Sequence, residues 1–114
     1  MNNKEVFVTK IIGTNFCVDS EAGKIVRKEI VEGLNKSDSV NVSFEGSEMI
    51  TTAFLNTAIG SLYKDFSEEE IKNKITIVSM TNEDKASLKR VVDTAKIFYN
   101  DPDRIRRSLH AVMG

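Results

Sequence analysis

This chain has a single cysteine, a single proline, a single histidine and no tryptophan in 114 residues. Cys17 has no second thiol to pair with, so no internal disulfide can form, and a reducing compartment is the expectation. Flanked by Phe16 and Val18, it reads as a small buried apolar group rather than a nucleophile. His110, alone in a basic stretch, rules out a two-histidine metal site and reads as a surface residue. Neither G-x-x-x-x-G-K-[ST] nor G-x-G-x-x-G is present, so no loop built to cradle phosphate is found, and without G-x-S-x-G there is no nucleophile elbow. No run approaches the roughly 18 to 20 apolar residues of a membrane helix. The opening "MNNKEVFVTK" lacks the apolar core of a signal peptide, and the expectation is a cytoplasmic protein. A net charge of -1 gives no electrostatic footprint for nucleic acid.

The composition is that of a folded protein, with 40% hydrophobic and 29% charged residues. A chain of 114 residues is the length of one domain, and 1–114 is read as such. Val6, Val8 and Lys10 alternate with Phe7, Thr9 and Ile11 in a strand pattern. "GTN" at 13–15 and "FCV" at 16–18 offer a turn and a returning strand, which would make a hairpin. A helix follows from Asp19 or Ser20, with Ala22, Val26, Ile30 and Leu34 on one stripe. Val40, Val42 and Phe44 form the next strand, left by the loop "EGSE". Thr51 or Thr52 opens a second helix whose stripe is Leu55, Ala58, Ile59, Leu62 and Phe66. "SEEE" at 67–70 reads as a solvated acidic turn, and "KITIVSM" as the clearest buried strand. A third helix runs from Thr81 or Asn82 with Leu88, Val91, Val92, Ala95 and Phe98 inward. "NDPD" stops it, and Asp101 with Pro102 starts a short fourth, lined by Ile105, Leu109 and Val112.

Strands alternating with helices predict an α/β fold, here a four-stranded mixed sheet with three to four helices. Contacts with ligands or partners should gather beyond the carboxyl ends of the strands, at Glu45–Thr52 and Met80–Asn82. Asp65, Glu68, Glu69 and Glu70 are carboxylates on a loop and helix edge, not the spaced pair that a hydrolase holds in a cleft. Arg104, Arg106 and Arg107 offer forks for an acidic partner, with helix-end charge compensation the competing explanation. The paired threonines carry most of the functional signal. One hydroxyl suffices to cap a helix, which leaves the other beside the exposed "EGSE" loop.

The stretch "VNVSFEGSEMITTAFLNTAIGSLY" resembles the strand-loop-helix core of STAS domains, the fold of bacterial anti-sigma-factor antagonists. Those proteins follow the strand with Asp-Ser-Ser-Gly or Asp-Ser-Thr-Gly; here Ile50-Thr51-Thr52-Ala53-Phe54-Leu55 falls on that junction, with Thr51 in place of Asp and Phe54 in place of Gly. Thr52, Ala53, Phe54 and Gly60 are closer to the pattern of the uncharacterised prokaryotic STAS-like domains. "NFCVDSEAGKIVRKEI" resembles the family's first helix and its approach, so that the likeness spans most of residues 4–99 in element order. The resemblance implies a STAS-like, non-enzymatic regulatory module that docks a protein partner, often a histidine-kinase-like ATPase, with no metal or cofactor. It places Thr52 where antagonists carry a phosphorylated serine and makes Ser47, Thr51, Thr52 and Phe54 the partner-binding or phospho-acceptor residues. The alternative is a small-ligand domain sensing a nucleotide or anion through the same strand-end loops. Oligomeric state is not legible.

Overall fold

Five strands, all paired in parallel, sort into two ladders in the computed structural model, which describes residues 2–100. In chain order the elements are β1 (Asn3–Phe7), α1 (Val8–Ile12), β2 (Phe16–Cys17), α2 (Ser20–Lys36), β3 (Ser39–Ser43), β4 (Met49–Ile50) and α3 (Thr52–Leu55). A π-helical turn (Asn56–Gly60) follows, then α4 (Leu62–Asp65), α5 (Glu68–Lys74), β5 (Ile75–Val78) and α6 (Asn82–Asn100). The larger sheet has the order β1-β3-β5, and β2 pairs with β4 in a separate two-stranded ladder.

Side-chain alternation gives the larger sheet one apolar and one polar face. Val6, Val40 and Val42 point into the core and are essentially inaccessible. On the opposite face the Ser39 hydroxyl donates to Asn3 Oδ1 at 2.6 Å, and the Asn41 amide donates to Glu5 Oε1 at 3.2 Å. Helix α2 covers the apolar face. Asp19 caps it by accepting the Ala22 amide at 2.8 Å, and Val26, Ile30 and Leu34 are buried on the expected stripe.

The middle helix is continuous in direction but slips by one residue at the π turn, where the Ser61 amide donates to the Asn56 carbonyl five residues back at 2.9 Å. Arg27 of α2 braces the slip, donating to Ser61 Oγ at 2.8 Å and to Asp65 at 2.6 Å. The slip presents Gly60 to α6, where a β-carbon would stand 3.2 Å from Val91 Cγ1.

Several expectations are corrected. The strand pattern at residues 6–11 breaks after Phe7, and Val8–Ile12 is helical, closed by Gly13 at φ 74°. Phe7 pairs with Ser43, the last residue of β3; beyond it the backbone has no ladder partner and bonds to itself instead. "FCV" does not return as a hairpin, because β2 pairs in parallel with β4, more than thirty residues on. The predicted four-stranded mixed sheet is therefore a three-stranded and a two-stranded parallel ladder, within the α/β class expected. "SEEE" opens α5: Ser67 accepts the Glu70 amide at 3.1 Å, three carboxylates sit at the positive helix end and Ile71 is buried. Strand β5 is only half-buried, and Phe98 is 52% exposed rather than inward. The predicted fourth helix, His110 and the three C-terminal arginines lie outside the described residues.

Candidate functional site

The loop leaving β3 is fixed at both ends. The Phe44 amide donates to the Val78 carbonyl at 3.1 Å, continuing the β3–β5 pairing by one residue. Gly46, at φ 83°, then turns the chain, and the Ser47 amide donates back to the Phe44 carbonyl at 3.0 Å. Across the loop the Thr9 hydroxyl donates to the Glu45 carbonyl at 3.0 Å. The Glu48 amide donates to the Asn15 carbonyl at 2.8 Å, and the Thr51 amide to the Cys17 carbonyl at 3.0 Å. Residues 15–18 and 48–51 are thus laced together just before α3.

The two threonines have different roles. Thr51 Oγ1 donates to the Val18 carbonyl at 2.6 Å and accepts the Phe54 amide at 3.2 Å, so it is the helix cap and both functions of its hydroxyl are used. Thr52, the first helical residue, is exposed. Ser47 is half-buried in the loop. Phe54 is 0% exposed and meets Phe44 edge to face at 6.2 Å between ring centroids. Ser47 precedes β4 and Thr51 and Thr52 follow it, so the three flank one short strand at a corner beneath which Phe54 is buried in the core, offering no side chain to a partner. Closeness below the corner is extreme. A β-carbon on Gly23 of α2 would stand 2.9 Å from Thr57 Cβ and 3.0 Å from the Phe54 carbonyl oxygen.

Two surface residues were not singled out by sequence reasoning. Phe16 and Met49 are register partners in the β2–β4 ladder and are 50% and 53% exposed. Each alternates with an inward neighbour, the fully buried Cys17 and the half-buried Ile50, so each points outward. The alternation was visible in sequence, but the parallel pairing that sets the two side by side was not. The result is an exposed apolar pair whose Met49 lies three residues before Thr52.

Burial, with a smaller contribution from Asp84, pushes the Cys17 thiol up to about 11, so it is protonated at neutral pH. Asp65 is held by Arg27, and Glu68 by Lys96 at 2.8 Å. Among the described residues no cluster of three histidine, cysteine or carboxylate side chains could hold a metal ion. Nor is any helix among them long and apolar enough to cross a membrane.

No curated protein and no solved structure matches the chain. A family model described as a STAS-like domain of unknown function (DUF4325) matches residues 22–85, from the first turn of α2 to the first turn of α6. The matched span contains the β3-loop-α3 junction, the π turn and β5, and the chain belongs to this STAS-like family.

Proposed function

We propose that the chain is a regulatory protein-interaction module that docks a partner through the corner built from Phe16, Ser47, Met49 and Thr52. One observation carries the reading: the locked Thr51 stands next to an exposed Thr52, and an exposed apolar pair precedes them. Exposed apolar side chains on a laced backbone give a partner desolvation energy with little ordering cost. Phosphorylation of Thr52 is the control we assign to this surface. A phosphoryl group adds about -1.5 to -2 charges at an exposed position, which the fold tolerates, but beside apolar contacts a partner must desolvate it. Its addition therefore weakens or redirects the complex without unfolding the domain. A partner of the histidine-kinase-like ATPase type fits the family resemblance of the junction.

The nucleotide or anion alternative is less well supported at this corner. The Phe54 amide is already taken by the Thr51 cap, and α3 proper is four residues long, too short for a helix-terminal charge of any strength. The test is affinity capture from the native host with quantitative mass spectrometry of isotope-labelled peptides. Wild type should enrich a partner that both Thr52→Glu and the double variant Phe16→Ser, Met49→Ser lose by tenfold or more. Equal recovery of that partner by all three proteins contradicts the proposed face.

A further inference from the structure

Among the described residues strand β5 is an edge strand, paired with β3 alone. Its burial alternates between half-buried Ile75 and Ile77 and exposed Thr76 and Val78. Among the described residues the inward face of the strand is incompletely covered, and the helix leading into it, α5, is seven residues long. Beneath the strand, between α5 and α6, lies an open cleft of about 450 Å³. Ile59, Ile71, Ile75, Ile77 and Val92 line it, and none of Ser47, Thr51, Thr52 or Phe54 does.

Protein interiors are packed as densely as organic crystals, and a gap walled by branched aliphatic side chains forfeits the dispersion contacts its lining would otherwise make. Water along the isoleucine wall finds few polar partners to replace them. The cleft lies within the range of about 300 to 1,000 Å³ typical of small-molecule sites, and it has their composition: apolar walls and a few polar groups. Those groups are Tyr63, Glu68, Lys72 and Lys96. Glu68 of α5 and Lys96 of α6 form an ion pair at 2.8 Å, and the hydrogen bond to Glu68 holds the Lys96 ammonium above its ordinary pKa. With two ammonium groups to one carboxylate, the lining carries an excess of positive charge.

We propose that this cleft binds a small amphipathic acid, its aliphatic or aromatic body on the isoleucine wall and its carboxylate beside Lys72 and Lys96. The site is separate from the docking corner and stands or falls independently of it. A neutral amphiphile lacks the group that the lysines recognise, and a cationic one is repelled by them.

The experiment is methyl-detected NMR of the full chain at neutral pH, titrated with sodium octanoate and, separately, with octanol and octylamine. Octanoate is expected to give saturable shifts at the Ile75, Ile77 and Val92 methyls with a Kd below about 1 mM, an affinity within reach of a ligand of this size. Octanol and octylamine should bind at least tenfold more weakly. The double variant Lys72→Gln, Lys96→Gln, which changes only rim residues, should weaken octanoate at least tenfold, and Val92→Phe should abolish the shifts by filling the cleft. Shifts that never saturate, that fall outside the cleft, or that are as strong with octanol would overturn the proposal, as would full octanoate affinity in the double glutamine variant.

Discussion

β3 and β5 are adjacent in one sheet and are both rich in β-branched residues, yet their surroundings differ. Val40 and Val42 are 1% and 0% exposed, whereas Ile75 and Ile77 are half-buried at the same register positions. β3 has a strand on each side and α2 above it; β5 has a strand on one side and a seven-residue helix leading in. Composition alone cannot separate the two strands, because burial is set by what packs against them. The tight region around β3, α2 and α3 fixes the corner proposed for docking, and the looser region around β5, α5 and α6 leaves a cleft.

The largest expected effect sets these regions against each other. Phe54→Ala removes a fully buried ring from its contact with Phe44 and should cost about 3 to 5 kcal/mol in urea unfolding. Ile77→Ala, in the looser region, should cost only about 1 to 2 kcal/mol, since its side chain is already partly solvated. Equal losses would erase the distinction. Next comes Gly23→Ala. Helix propensity favours alanine by about 1 kcal/mol, but the methyl group would press on Thr57 Cβ and on the Phe54 backbone. Overpacking costs about 1 to 3 kcal/mol, so a net loss of stability is expected, and a gain would show that the α2–α3 contact can relax.

Within the corner, Thr51→Val removes the cap and the bond to the Val18 carbonyl, with an expected loss of about 1 to 2 kcal/mol. Thr52→Val should change stability by less than about 0.5 kcal/mol, as an exposed substitution does. The same pair separates a structural threonine from one free to be modified. The smallest effect appears only in alkali. Cys17 has its pKa raised from 9.0 to about 11 by burial, so the folded state holds the proton after the unfolded chain has released it. The stability linked to that proton is complete below pH 9.0 and is lost as pH rises through about 11. The difference in unfolding midpoint between wild type and Cys17→Ala should therefore shift over that interval and stay constant below it.

Local signals in the sequence located most elements correctly. Asp19 and Thr81 each accept an amide of the helix that follows, and the stripe Val26, Ile30, Leu34 is buried as its spacing requires, whereas Ser67, expected in a solvated turn, also caps a helix. What else failed depended on partners distant in the chain. Nothing within residues 6–11 shows that β3 ends opposite Phe7, so the strand pattern was carried too far. Nothing within "FCV" shows that its partner is Met49–Ile50, so a hairpin was expected and the exposed Phe16–Met49 pair was missed. Thr51 and Thr52 were placed at the right junction, but which one is the cap depends on the Val18 carbonyl, thirty-three residues earlier. Phe54 matched the family pattern because the core needs it there.

Hydrogen-deuterium exchange of the domain alone and in complex with its captured partner tests the docking corner most directly. Slowed exchange at residues 15–18 and 47–53, lost in the Thr52→Glu protein, is the expected result. Protection confined to β5 and α6, with that corner unchanged, would contradict it.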